Sequence, residues 1–162
     1  MNIRKPTDYS TMFAALDAAV AAQLPQMELY REIGRVVSGR AEKGAAVAAS
    51  EYLQMTYPAV EGFSPRNLRR MRAFYATYEE SPEITRLAMS LGWTQNVAIL
   101  EGCGSSEERA WYIRAVLRFG WKKAKLLAAI ESQAWLHSSL DEQALSCYTG
   151  EKEISQESEC DD

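Results

Sequence analysis

Apolar residues recur along this chain at intervals of three and four, and no stretch shows the strict alternation of a half-buried strand, so every ordered element it predicts is a helix. Met12, Phe13, Leu16, Ala19, Val20 and Leu24 mark a first helix that opens at Asp8 or Ser10 and stops at Pro25. A second runs from Gln26 to Ser38. Leu29, Tyr30, Ile33, Val36 and Val37 face inward, Glu28, Arg31, Glu32 and Arg35 form a wet ladder, and Gly39 closes the helix. A third, from Glu42 to Met55, is rich in alanine (Ala45, Ala46, Ala48, Ala49), which lets a neighbour pack closely. Tyr57 and Pro58 end it.

The sharpest start lies in Gly62 to Tyr75, GFSPRNLRRMRAFY. Ser64 is a good N-cap and Pro65 occupies the first helical position, where its missing N–H costs nothing. With Arg66 at zero and roughly 100° per residue, Arg69, Arg70 and Arg72 fall at roughly 300°, 40° and 240°, while Phe74, Met71, Tyr75 and Leu68 span roughly 80° to 200°. One face is core and the other is cationic. Asn67 falls among the apolar positions and reads as a half-buried hydrogen-bonding residue. Arg72, at the shoulder, should pack its stem and pair its head internally. An amphipathic helix with outward arginines suits a DNA groove, or it is simply a solvated face. The preceding turn spans about seven residues, longer than the usual three or four of a helix-turn-helix.

Ser81 and Pro82 start a short helix to Leu91. Gly92 breaks it, Trp93 should be core, and Thr94 caps a helix through Glu101. Ser105 and Glu108 form a capping box for a helix ending at Phe119, with Gly120 as its C-cap. Tyr112, Ile113, Val116 and Phe119 point inward, and Arg114 and Arg118 share the opposite face with Trp111. The last helix is expected from Trp121 to His137. Lys122, Lys123 and Lys125 crowd its first turn, where cations oppose the helix dipole by up to about 1 kcal/mol and an external phosphate would relieve them.

Charge divides the chain. From Asp141 onward eight acidic residues stand against Lys152 alone, so the body to Leu140 carries +3 although the whole chain of 162 residues carries −4. We therefore expect a helical domain over residues 1–140, with a disordered lead from Met1 to Thr7, and a disordered acidic tail over 141–162 that can compete for the basic face. No apolar run approaches a membrane span, no signal-peptide pattern is present, and the expected location is cytoplasmic. Cys103, Cys147 and Cys160 are widely spaced and His137 is the one histidine, so no metal site and no cofactor are expected.

The chain resembles the YhcG-type amino-terminal domain, a bacterial family usually followed by a PD-(D/E)XK nuclease domain. The residues that carry the resemblance are Tyr30, Glu32, Ile33 and Gly34, then Gly62, Phe63, Ser64, Arg66, Asn67, Leu68, Met71, Arg72, Phe74 and Tyr75. Leu91 and Trp93 follow, and then Arg109, Trp111, Tyr112, Gly120, Trp121 and Ile130; together they cover roughly Met27 to Trp135. The resemblance implies an all-α, multi-helix, helix-turn-helix-like DNA-binding unit. It departs at Gln95, followed by Asn96, where the family commonly has a histidine two residues after the tryptophan. The nuclease half is expected to be missing, because the residues two before the six lysines are Ile3, Ala41, Gly120, Trp121, Lys123 and Gly150, none acidic. The expectation is a non-catalytic DNA-binding module using Arg66, Arg69 and Arg70, with contributions from Gln95, Asn96, Lys122, Lys123 and Lys125. The alternative is a protein-interaction module that pairs with a nuclease or with itself and regulates it.

Overall fold

A computed structural model describes residues 7–137. The expected acidic tail and all but Thr7 of the expected lead lie outside these residues. Nine helices and no strand occur among the described residues, in keeping with the all-α expectation. The chain divides into two compact units at Thr85 and Arg86.

The first unit holds α1 (Ser10–Ala21), α2 (Gln26–Ser38), α3 (Ala45–Thr56) and α4 (Pro65–Tyr78). Its core is built from Leu16, Ile33, Val37, Leu53, Phe63, Leu68, Met71 and Phe74, none more than 2% exposed. The alanine face of α3 serves as the spacing predicted: Ala45, Ala46 and Ala49 are buried. Asp17 ties α1 to the end of α3, accepting from the Tyr52 hydroxyl at 2.6 Å and the Tyr57 hydroxyl at 2.7 Å. Those bonds hold the Asp17 carboxyl below its usual range and, with burial, push the Tyr57 phenol up to about 12. Phe13 stacks on Tyr52 at 4.2 Å beside this clamp.

Helix α3 starts at Ala45 rather than Glu42, because Glu42 is used by the preceding loop. The Arg40 guanidinium forks onto its carboxylate at 3.1 and 2.8 Å, donates to the Asp8 carbonyl at 3.1 Å, and lies over the Tyr9 ring. The fork holds the Glu42 carboxyl down to about 2.

The short α5 (Pro82–Ala88) runs across the division of the chain. The second unit continues with α6 (Trp93–Gly102), α7 (Ser106–Phe119), α8 (Lys123–Glu131) and α9 (Ala134–His137). Leu91, Ile99, Tyr112, Ile113, Val116, Trp121 and Leu126 form its core. Ser105 caps α7 by accepting from the Glu108 N–H at 3.1 Å, and the Glu108 carboxylate reaches back one residue further than expected, to the Gly104 N–H at 3.0 Å. Gly120 ends α7 in the left-handed region at φ +67°, a conformation that costs a glycine little. The expected last helix is two: Ser132 and Gln133 interrupt it, with Gln133 at φ +58°.

Candidate functional site

Helix α4 is the most strongly positioned basic element of the first unit. Ser64 accepts from the Asn67 N–H at 3.2 Å and Pro65 opens the helix. Leu68, Met71, Phe74 and Tyr78 are buried, which fixes its rotation. Three further devices fix its start. The Asn67 side chain donates to the Gly62 carbonyl at 2.7 Å, as its place on the wheel suggested. Gly62 sits at φ +96° with the Tyr30 hydroxyl packed where a side chain would be. Tyr30 hydrogen-bonds Gln26 and Asn67, and its burial raises its phenol above the ordinary range. Ahead of them, the Phe63 carbonyl accepts from the Ser50 hydroxyl at 2.6 Å and the Gln54 amide at 2.9 Å.

With the inner face held, Arg66 and Arg69 are exposed and Arg70 is half-buried. Arg72 is turned to other work. Its guanidinium donates to the carbonyls of Arg40 and of Glu42, the latter at 3.3 Å, so the expectation of internal pairing holds. Next to α4, Arg31 lies over the Tyr75 ring at 5.0 Å, and Arg35 forks onto Glu32.

The five expected contributors in the second unit separate into two groups. Lys122, Lys123 and Lys125 are all exposed, with Lys122 at the N-cap of α8 and no acidic residue in its first turn. Gln95 is half-buried and Asn96 is fully buried, and both are engaged by backbone groups. Gln95 accepts from the Gly92 N–H at 2.8 Å and donates to the Trp121 carbonyl at 2.7 Å, so it caps α6 in place of the expected Thr94 and ties that end to the turn before α8. Asn96 is withdrawn from the binding set. It is fully buried, and its amide donates to the Ala88 carbonyl at 2.9 Å and the Gly92 carbonyl at 3.2 Å. A phosphate has no route to a side chain with no exposed surface. The signal was in the spacing: Asn96, Ile99 and Cys103 stand at i, i+3 and i+7, on one apolar stripe.

The sequence reading placed Trp121 at the start of the last helix and among the residues of the resemblance, with no role of its own. It is 3% exposed and its indole N–H meets no acceptor among the described residues; the same is true of the Trp111 indole N–H and Arg109 Nε. The Trp111 and Trp121 rings lie 6.4 Å apart, and Phe119 lies 6.0 Å from Trp121 on the turn. Trp121 and Lys125 also line a cavity of about 270 Å³ with Ala128, Ala129 and Ser132.

Among the described residues no group of three or more His, Cys, Asp or Glu side chains is placed to hold a metal ion, and no helix is long and apolar enough to cross a membrane. No curated protein and no solved structure matches the chain. A family model does: the DUF1016 N-terminal domain matches residues 13–137, from within α1 to the end of α9. The glycine, tyrosine and asparagine that set α4 in place fall inside that match, and the chain belongs to the DUF1016 N-terminal domain family, the YhcG amino-terminal family.

Proposed function

We propose that the chain is a non-catalytic DNA-binding module that lays the outer face of α4 against the phosphate backbone. The observation that supports this reading most is the contrast within one helix. Arg72 is spent on internal carbonyls, whereas Arg66 and Arg69 are held in the open by a helix whose cap, first turn and inner face are all fixed. A preorganised cationic face loses little side-chain or backbone freedom on binding beyond that of the arginines themselves. Phosphate oxygens are the acceptors such forks match.

The test is a salt titration of duplex DNA binding with the full chain and with the Arg66→Ala, Arg69→Ala, Arg70→Ala triple variant. Each lost phosphate contact removes about 0.9 of a unit from the log–log slope, so the triple variant should lose up to about 2.7 units while melting close to the parent. A folded triple variant with unchanged affinity and slope rejects this role for α4.

A second reading draws on Met55 and Val60, which are 82% and 43% exposed at the end of α3 and in the turn leading to α4. Large apolar side chains in such a place suit a protein partner, either a nuclease or a second copy. A partner held by them binds with little salt dependence, so the same titration separates the two.

A further inference from the structure

Along α8 and its cap, Lys125, Ala128, Ala129 and Ser132 stand at i, i+3, i+4 and i+7, so they share one face. That face and Trp121 line the open cavity of about 270 Å³, a groove along the helix. Its floor is alanine, with Ala129 buried and Ala128 exposed, and none of its lining residues is a carboxylate. Alanines beside an indole leave room for larger apolar side chains to enter from outside. We infer that this groove is the seat of the chain's own residues 140–148, LDEQALSCY, with Leu145 and Tyr148 entering it and the neighbouring acidic residues lying over the lysines of α8. The contact does not depend on whether α4 meets DNA.

Three observations carry it. The first is where the described chain leaves the fold. The Tyr112 hydroxyl donates to the Ala129 carbonyl at 3.2 Å and accepts from the Trp135 N–H at 3.4 Å, so the groove wall and the chain two residues before His137 converge on one oxygen. At up to about 3.5 Å per residue, Leu145 can reach about 28 Å from His137, twice the roughly 14 Å length of α8. The second is charge. Residues 86–137 hold seven basic and four acidic residues, with Lys122, Lys123 and Lys125 among the basic ones, whereas 138–162 hold one basic and eight acidic. Glu131, the one acidic residue of α8, stands roughly 100° round the helix from Ser132, off the groove face. The third is the order of apolar residues beyond the fold. Of the four large ones from 138 onward, Leu140, Leu145 and Tyr148 come within the first eleven positions, while six of the eight acidic residues follow Gly150. Leu136, just before the segment begins, is 58% exposed, so apolar surface is still uncovered there.

A tethered segment meets its site at an effective concentration of the order of millimolar. Even a contact that two separate molecules would hold at only about 0.1 mM therefore favours the closed form about tenfold. Charge competition by an acidic segment, the expectation from sequence, needs neither a groove nor a leucine. The seat needs both, and the experiment separates the two.

The test alkylates the full chain with N-ethylmaleimide, a neutral reagent, and follows Cys147 by mass spectrometry with Cys160 as the reference for reagent and solvent. Cys103 stays silent, because it is buried and burial pushes its thiol up to about 12. Seating should slow Cys147 about tenfold in the native chain relative to the same chain in denaturant. Ala128→Gln, which fills the groove from an exposed position, should remove most of that slowing. Should this variant fail to fold, Leu145→Ser replaces it, with the same outcome expected. A Cys147 that reacts as fast in the native chain as in the denatured one overturns the proposal. So does slowing that survives Ala128→Gln or Leu145→Ser, since the segment then lies elsewhere or is held by charge alone. Slowing that fades on about hundredfold dilution also overturns it, because the groove is then filled by a second copy.

Discussion

Gly34 of α2 lies against the Met71 carbonyl of α4 with no room for a side chain between them: a Cβ at Gly34 would fall inside the van der Waals envelope of the carbonyl oxygen and 3.2 Å from the Tyr75 Cβ. The closest approach of the two helices is thus set by a hydrogen atom. Since Met71 sits between Arg70 and Arg72, this contact also sets the height at which α4 offers its arginines.

Gly34→Ala should destabilise the domain by about 1–3 kcal/mol or more, because the obstacle is backbone rather than a side chain that can rotate away. Gly104→Ala is the control, with nothing within 4 Å of an added Cβ. Urea melts of both variants check this, and equal midpoints would show that α2 and α4 can separate without cost.

The link between Arg40 and Glu42 predicts a pH dependence. The Glu42 carboxyl falls from an ordinary 4.5 to about 2 because Arg40 hydrogen-bonds it, with further help from the Arg40 and Arg72 charges. A lowered folded-state value means that the unfolded chain binds the proton more readily, so this contribution is complete above about pH 4.5 and is lost as pH falls toward 2. Thermal melts from pH 6 to pH 2.5 should show a steeper acid loss in the parent than in Glu42→Gln. Parallel curves would mean that the exposed pair is screened to insignificance.

How much of this was legible beforehand depends on whether a residue's role is local. The bounds of α2, the Ser-Pro start of α4 and the Gly120 cap follow from neighbours within one turn, and they stand in the structure as read from the sequence. The turning of Arg72 away from its fellow arginines was readable for the same reason, since the wheel places it at the shoulder of the apolar stripe. The late start of α3 was not, because Glu42 is held by Arg40 and its carbonyl by Arg72, thirty positions away. The break at Gln133 has no glycine or proline to announce it. Gln95 reaches the Trp121 carbonyl, 26 positions on, a partner no local pattern names.

The four arginines of α4 should accordingly divide into two behaviours. Arg72→Ala leaves the Arg40 and Glu42 carbonyls without their charged donor and opens the packing under its stem, at a cost of about 1.5–3 kcal/mol. Arg66→Ala, at an exposed position, should stay within about ±0.5 kcal/mol. Chemical denaturation of the two single variants decides it, and matched stabilities would place the Arg72 head in solvent.

Asn96 tests the correction made to the binding set, because the two roles it could have predict opposite phenotypes. As a phosphate contact, its removal would weaken DNA binding and spare the fold. As a buried amide donating to the Ala88 and Gly92 carbonyls, it joins the end of α5 to the start of α6, and Asn96→Ala leaves both carbonyls short of a donor in a site that water does not reach. The expected cost is about 1–3 kcal/mol for the unsatisfied groups, with a small cavity added. Asn96→Asp should be worse, since it removes the donor and brings a charge with no exposed surface. DNA affinity, measured well below the lowered melting temperature and corrected for the folded fraction, should match the parent for Asn96→Ala. A variant with parental stability and a reduced salt slope would return Asn96 to the surface that meets DNA.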